Sequence, residues 1–322
     1  MAAGDRLVVI VGPTGVGKSD LAVAVAERLG GEIVSTDAYQ IYRGMDIGTA
    51  KTPEADRRGV AHHLIDVLDL GQTASVAQFQ ADARAALTDC RARGVVPVVV
   101  GGSSLYVRAV IDDLDFPGTE PQVRARWAAR LEEIGTEALH AELAARDPEA
   151  AGHILPSNGR RIVRALEVIE LTGRPFRATM PPHESVVGPV AMIGLRVDRE
   201  RLDTRLATRV EAMWQAGFVD EVRALAGRGL AEAPTASRAL GYAQVLDFLA
   251  GRLTEDEAKA QTISTTQQFA RRQMRLFGKD PRIVWLDHDA PDLTGRALAV
   301  IAEPCSGVST SIPAAGTSWG KC

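Results

Sequence analysis

The stretch VVIVGPTGVGKSD, residues 8–20, constrains the fold of this chain more than any other. It satisfies the pattern G-x-x-x-x-G-K-[ST], and it begins with a β-branched apolar run that is typical of a buried parallel strand. The following residues, DLAVAVAERLG, have helical spacing and end in glycine. A strand, a glycine-rich turn and a helix N-terminus place backbone N–H groups and a positive dipole end around an anion. The sequence therefore predicts a phosphate-binding loop formed by Gly12, Pro13, Thr14, Gly15, Val16, Gly17, Lys18 and Ser19.

Polar side chains in and near this loop suggest its chemistry. Lys18 would reach the outer phosphate, and the Ser19 hydroxyl would bind Mg²⁺. The later strand VVPVVV ends in GGSS without a carboxylate, whereas an acid, Asp37, follows the second strand. Because the carboxyl ends of parallel strands converge on the ligand, Asp37 and Ser103 should both face the phosphates. From position alone, Asp37 has three open roles: a magnesium ligand, a general base or a turn cap.

Composition excludes several classes of protein. Of the 322 residues 46% are apolar and 24% charged, as in an ordinary soluble protein, and the net charge of −4 leaves nucleic-acid binding to local basic patches. Cys90, Cys305 and Cys322 lack metal-ligand spacing, which fits a reducing cytosol. His62 and His63 have no Cys or acidic residue at metal-ligand spacing, so we interpret them as structural. No apolar run is long enough to cross a membrane, so we expect a cytoplasmic protein.

Apolar strand runs alternate with helical patterns over residues 5–111, which predicts an α/β fold with a parallel sheet. The expected strands are Leu7–Val11, Glu32–Ser35, Val96–Val100, Val190–Val197 and RIVWLD. The predicted organisation is a P-loop NTPase-like core in residues 1–115, a helical insertion domain in 116–189, the mostly helical second part of the core in 190–290, and a disordered tail in 291–322.

A long stretch, DAYQIYRGMDIGTAKTP, is unlike the corresponding segment of small-molecule kinases. With it, the chain resembles tRNA dimethylallyltransferases, also called tRNA isopentenyltransferases, over roughly residues 5–287. The resemblance rests on GPTGVGKS, STDAYQIYRGMDIGTAK, HHLIDV, PVVVGGSSLY, RRIVRALEVIELTG, RALGYAQV and ARRQMRLF in this order. It implies transfer of a dimethylallyl group from its diphosphate to N6 of the adenosine 3′-adjacent to the anticodon, giving N6-isopentenyladenosine and pyrophosphate.

The resemblance also implies residue roles. The loop and Arg209 would hold the diphosphate of the donor, with Mg²⁺ and Lys18 neutralising the leaving pyrophosphate. Asp37 is then the candidate base for N6, and Ser103, where many relatives carry Thr, would bind pyrophosphate or its metal. Residues expected to contact tRNA are Asp37, Ala38, Tyr39, Gln40, Ser103, Arg124, Arg160, Arg161, Arg164, Arg238, Gly241, Tyr242, Arg271, Arg272 and Gln273.

Two basic segments support an RNA surface on this acidic chain. Residues 160–177 hold five arginines and two glutamates, and residues 268–282 hold five cations and one aspartate. Three departures from the family pattern are visible. Ala38 replaces a usual Ser, and Arg275 and Leu276 replace Thr and Trp. Unlike for some eukaryotic relatives, we expect no C-terminal Cys₂His₂ finger.

Alternative functions are open at this point. The loop could serve ATP in a small-molecule kinase, or the donor in a prenyltransferase acting on free adenine nucleotides. A non-catalytic RNA-binding module is a third alternative, which the intact Lys18, Ser19 and Asp37 disfavour. For the main interpretation the expected partners are tRNA and dimethylallyl diphosphate, and the expected state is a monomer without membrane attachment.

Overall fold

The computed structural model describes residues 6–303, and a parallel sheet of six strands forms its centre. The strands are β1 (Leu7–Val11), β2 (Gly31–Ser35), β3 (His62–His63), β4 (Val96–Gly101), β5 (Val190–Arg196) and β6 (Ile283–Asp287). Their order across the sheet is β3-β2-β4-β1-β5-β6, and each neighbouring pair is parallel. The predicted α/β fold is therefore confirmed, with one additional strand, β3, that is only two residues long.

Helices cover both faces of this sheet. The first three are α1 (Lys18–Leu29), α2 (Val76–Ala92) and α3 (Ser104–Ile111). Successive strand residues point to opposite faces, so Val8 and Ile10 pack with α1, whereas Val9 and Val11 pack with α2 and α3. All five residues of β1 are buried, which explains why this strand has a continuous apolar sequence.

Residues 116–189 build a separate group of helices: α4 (Pro121–Arg146), α5 (Pro148–His153) and α6 (Gly159–Thr172). Their apolar side chains form a core of their own, which includes Trp127, Leu139, Leu143, Ile162 and Leu166. α4 is interrupted at Gly135, where φ is 80°, a conformation that glycine adopts without strain. The interruption divides α4 into two helical segments on either side of Gly135.

A second helical group follows β5 and consists of α7 (Arg199–Gln215), α8 (Phe218–Ala226), α9 (Tyr242–Leu249) and α10 (Glu255–Phe277). The segment after β2 packs on this group, because Tyr42 and Met45 share a core with Phe218 and Tyr242. The Phe218 and Tyr242 rings meet edge to face, with centroids 5.0 Å apart. This core fixes the segment after β2 next to α8 and α9.

One buried carboxylate connects the end of α3 to the last strand. Asp112 is fully buried and accepts hydrogen bonds from Arg108 Nε at 2.6 Å and from Arg282 Nη1 at 2.7 Å. Arg282 also donates to Asp280, shortly before β6. Asp112 therefore compensates two guanidinium groups that the fold keeps mostly away from water.

The prediction of disorder from residue 291 onward is wrong for residues 293–302, which form α11 (Leu293–Ala302). Asp292 caps this helix by accepting the Gly295 N–H at 3.1 Å, and Ala297 is buried in the core beside α1. The Ser/Gly/Pro-rich segment begins only after this helix, so its composition gives no information about residues 293–302. The rest of the predicted tail, 304–322, lies outside the described residues. Within residues 6–303, no helix is long and apolar enough to cross a membrane.

Candidate active site

The loop between β1 and α1 packs closely against two other elements. Its φ angles are 146° at Gly12 and 78° at Gly15. A Cβ atom at Gly12 would lie 2.7 Å from the Leu195 carbonyl oxygen, and one at Gly15 would lie 2.7 Å from Leu206 Cδ2. Both φ angles favour glycine, and at Gly12 the backbone of β5 also leaves no room for a side chain.

A cavity of about 1300 Å³ opens beside this loop, and α7, α10 and the segment after β2 also line it. The predicted site residues in its wall are Thr14, Gly15, Gly17, Lys18, Ser19, Asp37, Ala38, Tyr39, Gln40, Ser103, Arg209, Arg238, Gly241 and Gln273. The other predicted residues lie outside the wall: Gly12, Pro13, Val16, Arg124, Arg160, Arg161, Arg164, Tyr242, Arg271 and Arg272. The structure thus brings the donor-site candidates together with Asp37 but separates most of the arginines from them.

Two cations face one carboxylate in this cavity. Burial, and then the charge of Arg209, lower the pKa of Lys18 to about 7, while Asp37 acts in the opposite direction. Burial also lowers the pKa of Arg209, again against the effect of Asp37. Lys18 Nζ donates to the Pro13 carbonyl oxygen at 2.7 Å. The two cations are not fully compensated by neighbouring protein charges, as expected for a site that binds a multiply charged anion.

Asp37 uses one carboxylate oxygen to shape the turn after β2. Its Oδ1 accepts the backbone N–H groups of Tyr39 at 2.8 Å and Gln40 at 3.2 Å. Its Oδ2 accepts no hydrogen bond from the described residues, and the side chain borders the cavity. The turn-capping role is therefore real, and it leaves one oxygen for a ligand or a proton.

Ser103 is placed where the sequence predicts it but has a second task. Its Oγ accepts the Tyr106 N–H at 3.4 Å and so caps the N-terminus of α3. The hydroxyl hydrogen remains available, because capping uses only an oxygen lone pair. Ser103 can therefore donate a hydrogen bond to an anion in the cavity while it keeps the helix cap.

Gln273, predicted to contact tRNA, joins the phosphate-binding loop to the turn after β4. Only 5% of its surface is exposed. Its Oε1 accepts the Thr14 N–H at 2.9 Å, and its Nε2 donates to the Gly102 carbonyl oxygen at 2.9 Å. A Cβ at position 102 would lie 2.3 Å from this Nε2, so a side chain there would displace the Gln273 amide. Gln273 is therefore a positioning residue for the phosphate-binding loop and for the turn that carries Ser103.

Glu221 on α8 is a site-forming residue that the sequence analysis missed. Its carboxylate accepts the backbone N–H groups of Asp46, Ile47 and Gly48 and the hydroxyl of Tyr242 at 2.5 Å. Tyr242, expected along the RNA path, is fully buried, and burial with the nearby Glu221 raises the pKa of its hydroxyl. The Tyr242 ring packs under the segment after β2, so its side chain offers no exposed surface to RNA in this structure. No sequence motif marks Glu221, since its partners are backbone groups far along the chain.

Three arginines of the predicted RNA surface have partners within the protein. Arg164 donates to Glu167 at 2.8 Å, and Arg124 lies 3.4 Å from the same buried carboxylate. Arg161 donates to the Ala178 carbonyl oxygen. The high local charge of residues 160–177 therefore partly serves the insertion itself, because a buried glutamate must be compensated.

Other cations on these segments are exposed. Arg160 and Arg272 have exposed side chains without an ion pair among the described residues, whereas Arg271 is 3.1 Å from Asp203. Arg177 and Arg275 are likewise exposed and unpaired within residues 6–303. Free cations of this kind are the ones that can bind RNA phosphates without breaking an internal pair.

Comparison with known proteins assigns the chain to a family. Residues 40–280 match the family model described as IPP transferase. The chain is similar to the tRNA dimethylallyltransferase of Thermobifida fusca, with 59% identity over 304 residues that cover 93% of this chain and 95% of the relative. A protein of the same name from Streptomyces avermitilis is 58% identical over 302 residues, which cover 93% of this chain and 96% of the relative.

Solved structures give the same result. The tRNA isopentenylpyrophosphate transferase of Bacillus halodurans has a TM-score of 0.67 and 38% identity, and the match covers 92% of this chain and 94% of that one. A eukaryotic dimethylallyltransferase acting on tRNA has a TM-score of 0.78 and 25% identity, with 91% of this chain and 78% of that one covered. With a family match over most of its length and relatives this similar, the chain belongs to the tRNA dimethylallyltransferase family.

Proposed function

We propose that this chain transfers the dimethylallyl group of dimethylallyl diphosphate to N6 of the adenosine 3′-adjacent to the anticodon of tRNA. The observation that carries the proposal is that the phosphate-binding loop and Asp37 line the same cavity. A site for an anionic leaving group and a nearby proton acceptor are the two elements that this substitution needs. The cavity volume of about 1300 Å³ also exceeds the range of about 300–1,000 Å³ typical of small-ligand sites, which leaves room for a nucleotide beside the donor.

The donor diphosphate lies against the loop in this proposal. Backbone N–H groups of the loop, Lys18 and Arg209 offer the positive charge that the two phosphates require. The apolar side chains of Leu206, Met213 and Phe269 border the same cavity and offer a surface for the hydrocarbon part. The charged and apolar parts of the wall thus match the two ends of an allylic diphosphate.

Ser19 is the residue proposed to hold Mg²⁺. Its hydroxyl lies in the cavity wall next to Lys18 and has no hydrogen-bond partner within residues 6–303. Mg²⁺ prefers oxygen ligands and usually keeps several waters. One hydroxyl from the protein and the phosphate oxygens of the donor are therefore enough to hold it. When bound, the ion stabilises negative charge on the departing pyrophosphate.

The bond changes assign Asp37 its role. The C–O bond between the allylic carbon and the diphosphate breaks, its electron pair leaves with pyrophosphate, and the N6 lone pair forms the new C–N bond. N6 must then lose one proton. Asp37 accepts this proton on Oδ2, which no described residue occupies, while Oδ1 keeps the turn in place.

The tRNA surface is proposed to comprise the cavity residues Ala38, Tyr39, Gln40 and Arg238 together with the exposed cations outside it. The target base must leave its stack to reach the cavity, as in other enzymes that modify a base. We further propose that the protein acts in the cytoplasm and that it is a monomer. Arg124, Arg161 and Arg164 contribute to this surface only if they exchange their internal partners for phosphates.

The Asp37→Asn variant tests the mechanism. The amide keeps the turn cap on one oxygen but cannot take a proton, so the single-turnover rate at saturating substrates should fall by about 10²–10⁴-fold. Asp20→Asn is the matched control, because Asp20 also borders the cavity but is exposed and has no part in the proton transfer. A rate within threefold of wild type across a Mg²⁺ series would remove Asp37 from the mechanism, and recovery at high Mg²⁺ would identify a metal ligand instead.

Product analysis separates the alternative activities. Purified protein with dimethylallyl diphosphate, Mg²⁺ and unmodified tRNA should yield N6-isopentenyladenosine by nucleoside mass analysis, without ATP. Phosphorylated product and ATP consumption would identify a kinase. Prenylation of free adenine nucleotides but not of tRNA would identify the second alternative.

A further inference from the structure

A cluster of three metal-binding side chains lies outside the cavity, on the face of the sheet that α2 covers. It consists of Glu32 on β2, His63 on β3 and Cys90 on α2. His63 Nε2 is 2.7 Å from Glu32 Oε2, and Cys90 Sγ is 3.5 Å from the same oxygen and 3.9 Å from His63 Nε2. None of the three lines the cavity of the candidate active site.

We propose that Glu32, His63 and Cys90 form a zinc-binding site. Carboxylate oxygen, imidazole nitrogen and thiolate sulfur are the ligand types that Zn²⁺ takes, and a tetrahedral ion holds such atoms about 3.3–3.6 Å from one another. Of the observed separations, 3.5 Å lies in this range and 3.9 Å lies about 0.3 Å above it, whereas the 2.7 Å between His63 Nε2 and Glu32 Oε2 must widen by about 0.6 Å to admit the ion. Three protein ligands leave a fourth position for water.

The place of the ligands in the fold favours a defined site. Glu32 and His63 stand on adjacent paired strands, and Cys90 is fully buried near the end of α2. Their sequence separations of 31 and 27 residues resemble no zinc motif, which explains why sequence reading treats His63 as structural. The juxtaposition arises only when β2, β3 and α2 pack together.

Arg93 is the competitor of the metal. It donates to both oxygens of Glu32 at 2.7 Å, and it also lies 2.8 Å from Asp89. These hydrogen bonds lower the pKa of Glu32 to about 2, and burial with the nearby Glu32 raises the pKa of Cys90 to about 11. Zinc binding must therefore displace the proton of the Cys90 thiol and move Arg93 away from Glu32. Asp89 then remains as a partner for Arg93.

Cobalt titration of the full chain tests the site, because a thiolate bound to Co²⁺ gives a charge-transfer band in the near ultraviolet. Cys305→Ser with Cys322→Ser serves as the parent protein, so that Cys90 is its only thiol. Co²⁺ bound at the phosphate loop would not give this band, since no cysteine lines the cavity. Zn²⁺ competition against the cobalt signal then gives the zinc affinity.

The expected result is one saturable Co²⁺ site per chain with a thiolate band. His63→Gln should weaken binding at least tenfold, and Cys90→Ser should remove the band. His62→Gln is the matched control and should bind normally, because His62 Nδ1 is engaged with the Val60 carbonyl oxygen. Arg93→Gln should bind at least threefold more tightly, since it removes the competing cation.

Three results would overturn the proposal: no saturable binding by the parent protein, an unchanged thiolate band in Cys90→Ser, or weaker binding by Arg93→Gln. Weaker binding by Arg93→Gln would mean that the cluster is an ion pair between Arg93 and Glu32, with the Cys90 thiol packed beside it. Thermal melting of every variant in EDTA identifies misfolded ones. Glu32→Gln, tested beside His63→Gln, gives a second ligand variant if Cys90→Ser does not fold.

Discussion

The protonation state of Lys18 should decide how donor affinity changes with pH. Burial and the charge of Arg209 lower its pKa to about 7 in the empty protein. The side chain is half-buried at the cavity wall, and its ammonium group donates to the Pro13 carbonyl oxygen at 2.7 Å. A bound diphosphate places negative charge beside this group and favours its protonated form. We therefore expect donor binding above pH 7 to take up a proton.

The size of the effect follows from the titration of one group. A lysine with a pKa of about 7 is half protonated at pH 7 and about 1% protonated at pH 9. If the diphosphate restores the ordinary lysine value of 10.5, donor affinity should fall by about 50-fold between these two pH values. In the empty protein, the folded state binds fewer protons than the unfolded state between pH 7 and 10.5, so stability should rise with pH over that range.

Isothermal titration calorimetry with dimethylallyl diphosphate measures both affinity and proton uptake. Titrations at constant Mg²⁺ in two buffers of different ionisation enthalpy, repeated at pH 7, 8 and 9, give the number of protons taken up. The donor phosphates titrate as well, so Lys18→Met serves as the control, and the difference between the two proteins is the contribution of Lys18. Equal proton uptake and equal pH dependence in both proteins would refute this reasoning.

Three further substitutions have expected outcomes. Gln273→Leu leaves two backbone groups of the donor site unpaired, at about 1–3 kcal/mol each, so calorimetry should show weaker donor binding with tRNA affinity unchanged. Arg160→Ala should reduce the slope of log tRNA affinity against log salt concentration by roughly 0.7–0.9. Arg164→Ala leaves the buried Glu167 with less positive charge beside it and should mainly lower the melting temperature. Asp112→Ala should cost about 3–5 kcal/mol in chemical denaturation, and a loss below 1 kcal/mol would contradict the buried bridge.

Contiguous signals in the sequence predicted most of the sheet and the loop. β1 and β4 are uninterrupted apolar runs because both strands are buried on both faces, so their positions follow from local composition. The loop is equally local, since strand, turn and helix follow one another in the chain. β3 and α11 were not predicted, for two different reasons. Two residues are too few for a strand pattern, and α11 borders a segment whose composition suggested disorder.

Residue roles were less predictable where burial depends on distant partners. Family segments placed Tyr242 and Gln273 at the RNA surface, but the apolar core around Phe218 buries the first and two backbone loops engage the second. The helical spacing of the sequence indicates burial at these positions, because Ala270, Gln273 and Phe277 lie on one side of α10, where they form a buried stripe. Burial of Gln273 could have been inferred from that stripe, whereas its two hydrogen-bond partners could not.

The same stripe explains what the departures from the family pattern change. Positions 275 and 276 lie between the buried Gln273 and Phe277 in sequence, but helical geometry turns them to another side, and both Arg275 and Leu276 are exposed. They therefore alter the exposed surface of α10, which we propose binds tRNA, and leave the contact of Gln273 with the phosphate-binding loop intact. One helix thus separates the two requirements of the reaction. Its buried side holds the phosphate-binding loop and the turn after β4 through Gln273, and its exposed side carries the cations that we propose bind tRNA.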